Sequence, residues 1–375
     1  MTADTTRVAN LLKRALQAPA SVPDLSAPDL DLLIRSARRV RLLGRLAADL
    51  QAAGVFDTLL PVAQDQLNGT LVYAEARARL ARWELDRIAW ALEDAPPSRI
   101  VAMKGCAYLL LGLPKAASRI MADVDLMLPE AELEAVEKRL NQKGWRTKPL
   151  SPYDDHYYRR WTHELPPLAH VERQVEIDLH HNLLPVTARL KPPAEPLLAA
   201  AVAVPGSPYR VLDGPDMVLH AMVHLFYSDE MADKLRDLVD IVDLVGHFAV
   251  EDAGFWERLV DRAGQLGLER PAFYGLRYAR QLLDCPVPER VESAIAAWGP
   301  PAPVRRLMDR LTANALYPMH PDDGSPVGVA ASRRLLYMRS HWIRMPPWLL
   351  AYHLGYKFVV TRVRRKRPPQ SLLQG

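Results

Sequence analysis

The sequence predicts an α+β protein in which a small mixed β-sheet is flanked by N-terminal and C-terminal helical regions. Residues 1–97 and 213–322 place apolar side chains at helical spacing. Between them, Asp123–Leu128 and Val175–His180 alternate aliphatic residues with acidic or other polar ones, which is the pattern of half-buried strands. Helical patterns separate these two segments, and this order is typical of a small sheet backed by helices.

Length and composition predict five regions along the chain. The chain has 375 residues, which is too long for one small core, and 49% of them are hydrophobic, which is enough for a globular protein. The predicted regions are an N-terminal helical region (1–97), a sheet core (98–190), a Pro- and Ala-rich linker (191–212), a C-terminal helical domain (213–322) and a basic aromatic tail (323–375).

The positive charge of the chain is concentrated in its tail. The net charge is +4, but residues 324–375 carry ten Lys and Arg and no Asp or Glu. The first 323 residues therefore hold 38 basic against 44 acidic residues, a net charge of −6. A groove that follows nucleic acid through the core requires positive charge there, so this distribution argues against nucleic acid as a partner.

The expected compartment is the cytoplasm. Cys106 and Cys285, the two cysteines, lie far apart in the sequence, which argues against a disulfide framework and for a reducing environment. No run of 18 apolar residues predicts a membrane-spanning helix. The first ten residues lack the apolar segment of a secretory signal.

Three helices are expected before the sheet core, over Val8–Leu16, Asp29–Leu50 and Leu60–Leu92. Two interpretations of this region remain open. It is either a packing support for the core or a lid that helps a second substrate to dock.

The core begins with a strand over Ile100–Met103, followed by a turn at Lys104-Gly105 and a helix. Backbone N–H groups in such a turn can bind phosphate oxygens. A helix over Glu130–Lys143 and then a polar, aromatic hairpin over Tyr153–His170 are expected further on. The histidines in and after this hairpin match no ordinary zinc spacing.

Three carboxylates on the two alternating strands predict a metal site. Asp123 and Asp125 share one face of their strand, about 7 Å apart, because each strand step covers about 3.3 Å. Asp178 shares a face of the second strand with His180. If the two strands are neighbours, these carboxylates repel one another unless they share cations, and hard oxygen ligands favour Mg²⁺ or Mn²⁺. Such a site can hold two cations across a phosphoryl group.

Three motifs resemble those of the uncharacterised nucleotidyltransferase family within the polymerase-beta-type superfamily. They are Lys104-Gly105, then Arg119-x3-Asp123-Val-Asp125-Leu-Met-Leu-Pro, then Val-Glu-Ile-Asp178-Leu-His. The resemblance implies that Asp123, Asp125 and Asp178 are the catalytic, metal-holding carboxylates. It also implies that Lys104-Gly105 takes the place of the superfamily's Gly-rich turn. Cys106 follows that turn where a hydroxyl residue is usual, which is a departure from the superfamily pattern.

The resemblance also indicates how a nucleotide would bind. Arg119 either contacts the triphosphate or forms an ion pair with Asp123. Arg236 and Asp240 match a further R-x3-D pattern. This pair either braces its helix, or Asp240 or His224 faces the base or ribose of the nucleotide. His180, which shares a face with Asp178, is expected either to support the metal-holding carboxylates or to contact the substrate. The predicted nucleotide-binding residues are Lys104, Gly105, Arg119, His180 and Asp240.

The function implied is transfer of a nucleoside monophosphate from an NTP to an unknown acceptor, with pyrophosphate leaving. Three alternatives remain open. The first is a toxin-like transferase that modifies RNA or protein. The second is a non-catalytic nucleotide sensor, which binds NTP and Mg²⁺ but releases no pyrophosphate. The third is a membrane-surface scaffold that binds anionic lipid through the tail and ignores nucleotides.

The tail interleaves aromatic with basic residues and ends in a basic cluster. The aromatic residues are Trp342, Trp348, Tyr352, Tyr356 and Phe358, and the cluster is Arg362, Arg364, Arg365, Lys366 and Arg367. One interpretation is peripheral contact with the anionic inner face of a membrane, where aromatic residues sit at the headgroups. The other is a helix packed on the core with a solvated basic end.

Overall fold

The computed structural model describes residues 3–173, 175–227, 230–324 and 326–365, with side chains between residues 6 and 356 of those ranges. The chain has the predicted α+β fold, in which helices flank a mixed seven-stranded sheet. One apolar core is continuous from Val8, through the sheet, to Leu336. The division of the chain into five regions stays a prediction.

The described chain begins with four helices that support the sheet. They are α1 (Ala3–Gln17), α2 (Ala27–Arg39), α3 (Leu43–Ala52) and α4 (Pro61–Leu92). On α4, Arg77 donates hydrogen bonds to the carbonyl oxygens of Met121 and Ala122, at 2.8 and 2.7 Å. The buried Glu84 accepts a 2.7 Å bond from the indole of Trp145. These contacts favour the packing-support interpretation, because they fix α4 both to the chain just before the first acidic strand and to Trp145 in the sheet.

The two predicted acidic strands lie side by side and parallel in the middle of the sheet. The strands are β1 (Val101–Ala102), β2 (Asp123–Met127), β3 (Trp145–Thr147), β4 (Leu168–His170), β5 (Glu176–His180), β6 (Val202–Ala203) and β7 (Arg210–Val211). Their order is β3-β4-β5-β2-β1-β7-β6. β1 is antiparallel to β2, and β4 is antiparallel to β5, so both acidic strands are hydrogen-bonded on both edges.

Three helices accompany these strands: α5 (Lys104–Leu110), α6 (Leu133–Gln142) and α7 (Pro152–Trp161). The hairpin predicted over residues 153–170 was wrong, because most of its first half forms α7. Ser151 caps this helix by accepting a 3.1 Å hydrogen bond from the Asp154 backbone N–H, and Pro152 occupies the first turn. This start signal outweighs the strand preference of the aromatic residues that follow it.

The segment predicted as a linker, residues 191–212, is an ordered part of the fold. It contains helix α8 (Ala194–Ala200) and the strands β6 and β7. β7 runs parallel to β1, and the Arg210 backbone N–H donates to the Ile100 carbonyl at 2.8 Å. Strands of two residues are too short to show the alternation by which a strand is recognised in a sequence.

The remaining helices form the C-terminal part of the chain. They are α9 (Gly214–Tyr227), α10 (Leu235–Glu251), α11 (Phe255–Gln265), α12 (Glu269–Leu283), α13 (Glu289–Ile295), α14 (Ala302–Leu316), α15 (Val327–Arg344) and α16 (Pro347–Arg365). Helix α9 is central: α10, α11, α12 and α15 pack around it, and most of its residues are buried. Within the described residues, no helix combines the length and apolarity needed to cross a bilayer.

In the tail, helix α16 packs against α7. The ring of Tyr356 stacks on Tyr153 with 3.8 Å between ring centroids, and the Tyr153 hydroxyl lies 2.8 Å from Nδ1 of His353. Trp348 and Tyr352 remain 65% and 54% exposed. The basic cluster from Arg362 to Arg367 lies outside the described side chains. The packing of α16 on α7 agrees with the interpretation of the tail as a helix packed on the core. The exposed aromatic rings leave the interpretation of a membrane contact open.

Candidate active site

The pairing of β2 with β5 brings the predicted carboxylates together. Asp125 is directly opposite Asp178, Asp123 is opposite Glu176, and His180 lies two residues further along β5. Directly paired residues point to the same face of a sheet, so these side chains share one face. Because both strands are central, the backbone under the site is held by hydrogen bonds on both edges.

Asp125 is the centre of the group. It is 2% exposed, and its Oδ1 accepts from Lys104 Nζ at 2.6 Å and lies 3.1 Å from His180 Nε2. Burial opposes its ionisation, but Lys104 and His180 together hold the pKa of Asp125 below its ordinary value. Burial likewise opposes the charge on Lys104, and Asp125 nevertheless raises the pKa of that ammonium. The pair is therefore ionised.

Asp178 is the uncompensated carboxylate beside this pair. It makes no hydrogen bond or ion pair with any residue that the structure describes. Burial and then the negative charge of Asp125 raise the pKa of Asp178 to about 7. A carboxylate with a raised pKa next to a second, ionised carboxylate is stabilised by any cation that binds between them.

His180 joins the carboxylates to a residue that sequence reasoning missed. Its Nδ1 is buried and lies 3.2 Å from Glu164 Oε2, but outside hydrogen-bond geometry. Burial lowers the pKa of His180, but Asp125 and Glu164 outweigh this, so that its pKa is raised. His163 has a buried Nδ1 with no hydrogen-bond partner among the described residues, and burial holds the pKa of this imidazole well below its ordinary value. The imidazoles of His163 and His180 therefore offer ring nitrogens to a ligand.

These residues fit a divalent cation. Ligand atoms of Asp125, Asp178 and His180 lie within 4.8 Å of one another, and so do those of His163, Glu164 and His180. Carboxylate oxygens with an imidazole nitrogen are an ordinary donor set for such ions. The Asp123 carboxylate belongs to neither group, although its backbone oxygen is 3.8 Å from Cys106 Sγ. An isolated β-bridge pairs Glu164 with His180 and brings Glu164 and the adjacent His163 to the site. The spacing of the histidines in the sequence does not reveal this pairing.

The Lys104-Gly105 turn packs tightly against Arg119. Lys104 has a left-handed φ of 48°, and the Met103 backbone N–H donates to the Asp125 carbonyl at 3.0 Å. A Cβ added at Gly105 would lie 2.5 Å from Arg119 Nη1. A side chain at position 105 would therefore have to displace the guanidinium of Arg119.

Arg119 forms its ion pair with a residue outside the acidic strands. Its Nε donates to Asp240 Oδ2 at 3.0 Å, and its guanidinium carbon lies 5.6 Å from the centre of the Tyr108 ring. The ion pair of Arg119 with Asp123, one of the two roles predicted for this arginine, does not form, because Asp240 is its partner. Arg236 pairs with the adjacent Asp237 at 3.3 Å, so it does not brace Asp240 either.

The predicted nucleotide-binding residues divide between two cavities. A cavity of about 230 Å³ is lined by Lys104, Asp178 and His180, and by His220 and His224 from α9. A second cavity, of about 400 Å³, is lined by Arg119, Asp240 and Tyr108, by apolar residues, and by further charged residues that include Arg41, Arg45, Lys115, Arg236 and Asp243. We call the first the carboxylate cavity. Gly105 lines neither of these two cavities.

Comparison with known proteins gives a family and one distant structure. The family model described as "Uncharacterised nucleotidyltransferase" matches residues 26–284, more than half of the chain. None of the curated proteins matches. The crystal structure of JHP933 from Helicobacter pylori is similar at 14% identity and a TM-score of 0.31, over 70% of this chain and 95% of that one. The family match contains both acidic strands, and the chain belongs to the uncharacterised nucleotidyltransferase family.

Proposed function

We propose that this protein transfers a nucleoside monophosphate from an NTP to an acceptor nucleophile and releases pyrophosphate. Membership of the family supports a nucleotidyltransferase. The observation that carries the proposal is the parallel register that sets Asp125 against Asp178, which lines the carboxylate cavity. A cluster of this kind suits phosphoryl transfer, in which catalysis consists mainly of positioning and charge stabilisation.

We assign each residue a role from its contacts. Asp125 and Asp178 would hold Mg²⁺ or Mn²⁺, with Asp123 as a further carboxylate from the same strand. Such cations neutralise phosphate charge and lower the pKa of an attacking hydroxyl. Asp178, which has no partner in the described residues, faces the acceptor. Lys104 places a positive charge beside Asp125, and His180 fixes the orientation of that carboxylate.

The direct test is release of pyrophosphate by the wild-type protein. We expect release from at least one of the four NTPs, dependent on Mg²⁺ or Mn²⁺, when cell extract supplies the acceptor. An NTP labelled at the α-phosphate shows whether the label moves to RNA, protein or a small molecule, and a chelator is the control. Binding of NTP without release under any acceptor condition favours a nucleotide sensor. Failure to bind any NTP contradicts both.

We also propose that the tail touches anionic membrane, because Trp348 and Tyr352 are exposed and a basic cluster follows them in the sequence. The packed residues of α16 must be kept, so the variant replaces only the cluster by Gln: Arg362, Arg364, Arg365, Lys366 and Arg367. We expect this variant to sediment less with anionic vesicles at low salt, and salt to weaken wild-type binding. Equal sedimentation of both proteins would remove the membrane contact and leave α16 as a packing helix.

A further inference from the structure

Two histidines and a glutamate form a group of nitrogen and oxygen ligands beside the paired carboxylates. Ligand atoms of His163, Glu164 and His180 lie within 4.8 Å of one another, and all three residues line the carboxylate cavity. The proposed transfer reaction uses neither His163 nor Glu164. An ion that enters the cavity can therefore reach a set of ligands other than Asp125 and Asp178.

The backbone holds His163 and Glu164 against the end of β5. The His181 backbone N–H donates to the His163 carbonyl at 2.8 Å. The Leu165 backbone N–H donates to the Leu179 carbonyl at 2.9 Å. These bonds lie on either side of the isolated bridge that pairs Glu164 with the last residue of β5. The ligand group is therefore fixed by the fold, although its members are far apart in the sequence.

The distances within the group suit one small cation. His180 Nδ1 lies 3.2 Å from Glu164 Oε2, and His163 Nε2 lies 4.0 Å from the same oxygen. Bonds of about 2.1 Å to a tetrahedral Zn²⁺ place its ligand atoms about 3.4 Å apart. The first separation is close to this value, and the second exceeds it by roughly 0.6 Å. Three protein ligands leave the fourth position of such a site to water.

His180 has the surroundings of a metal-binding histidine. Its Nε2 lies 3.1 Å from Asp125 Oδ1, while its buried Nδ1 has no hydrogen-bond partner among the described residues. Histidines that bind a metal through one ring nitrogen commonly donate the N–H of the other to a carboxylate, which fixes the tautomer and the ring plane. The side chain of His180 is only 4% exposed, so the unpartnered Nδ1 costs desolvation free energy that a bound ion offsets.

The nitrogen ligands determine the class of ion. Imidazole suits Zn²⁺ and related transition metals, whereas carboxylate oxygens suit Mg²⁺ and Mn²⁺. For a given set of ligands, Mn²⁺ also binds more weakly than the later ions of the same series. Two imidazoles and one carboxylate therefore favour Zn²⁺, while the Asp125–Asp178 pair favours Mg²⁺ or Mn²⁺. The two ions then share the cavity but no ligand.

We propose that His163, Glu164 and His180 bind Zn²⁺ at a site separate from the cation proposed for Asp125 and Asp178. An ion on His180 Nδ1 leaves the ring proton on Nε2, so that the imidazole donates a hydrogen bond to Asp125 Oδ1. The bound ion thereby fixes the orientation of that carboxylate. The inference does not depend on the proposed function, because its test measures the binding of the ion alone.

The experiment titrates Zn²⁺ by calorimetry into full-length protein freed of metal by a chelator, with excess Mg²⁺ present to occupy the carboxylate pair. We expect one Zn²⁺ per chain. His163→Gln and Glu164→Gln should weaken binding more than about 100-fold, because even the outer partners of metal ligands contribute about 10- to 100-fold. Asp178→Asn should bind Zn²⁺ like the wild type. His156→Gln is the matched control, because His156 is an exposed histidine of α7 outside the group.

X-ray absorption at the zinc edge counts the imidazole ligands in the wild-type protein. The proposed site supplies two imidazoles, and a site made by Asp125, Asp178 and His180 supplies one. One imidazole, or loss of Zn²⁺ in Asp178→Asn with retention in His163→Gln, overturns the inference and assigns the ion to the carboxylates. Failure of the wild type to bind Zn²⁺, or equal affinity in His163→Gln and Glu164→Gln, also overturns it. Thermal unfolding shows whether each variant folds, and the ligand count decides if these two do not.

Discussion

Replacement of Asp178 by Asn should abolish pyrophosphate release and leave NTP binding nearly unchanged. Asn keeps the shape of the side chain but removes the carboxylate that faces the acceptor. Asp125, Lys104 and His180 keep their mutual contacts, because none of their hydrogen bonds involves Asp178. We expect the affinity for Mg²⁺-NTP to change by about 1 kcal/mol or less. The rate of transfer should fall by several kcal/mol of transition-state stabilisation, roughly a thousandfold or more.

The measurement pairs calorimetry of Mg²⁺-NTP binding with a pyrophosphate release assay on the same preparations. Glu176→Gln is the matched control, because it removes one negative charge from the same face of β5, two residues away. Glu176 is paired with the exposed Lys148, so its loss should leave both readouts close to wild type. Full transfer activity in Asp178→Asn would show that the second acidic strand has no catalytic role.

Local patterns in the sequence were sufficient to predict the two strands that carry the candidate site. The alternation around Asp123 and Asp125, and again around Asp178, has the period of two that a strand imposes, and both segments are strands. A one-residue error in either strand would have sent its carboxylates to the opposite face. The pairing of the two strands also agrees with the hypothesis that they are neighbours, because Asp125 and Asp178 occupy the same register.

Contacts between distant segments could not be predicted in the same way. Glu164 reaches His180 through a single isolated bridge, and Arg119 takes Asp240 as its partner from a helix more than a hundred residues away. Nothing in the spacing of these residues indicates such pairs, because they depend on how helices and strands pack. Arg344 is a further case, since it enters the carboxylate cavity from a segment that the sequence indicated only as an aromatic, basic tail.

The second prediction with a large expected effect concerns the ion pair of Lys104 and Asp125. Asp125→Asn should both destabilise the fold and remove cation binding, because the Asp125 carboxylate neutralises Lys104 and also belongs to the proposed cation site. Lys104 Nζ lies 2.6 Å from Asp125, whose side chain is only 3% exposed. Without that charge, a mostly buried ammonium loses its nearest counter-ion, and we expect unfolding free energy to fall by about 3 kcal/mol. Mn²⁺ binding should become undetectable at concentrations that saturate the wild-type protein.

A second substitution separates the two effects. In the variant that combines Lys104→Met with Asp125→Asn, no unpaired ammonium remains, and stability should recover most of the loss. Mn²⁺ binding and pyrophosphate release should not recover, because the carboxylate is still absent. Urea denaturation gives the stabilities, and electron paramagnetic resonance of free Mn²⁺ gives the binding. If the double variant binds Mn²⁺ like the wild type, Asp125 is a structural partner of Lys104 and not a metal ligand. If the double variant is as unstable as Asp125→Asn, the loss of stability comes from the lost contact with His180 and not from an unpaired Lys104.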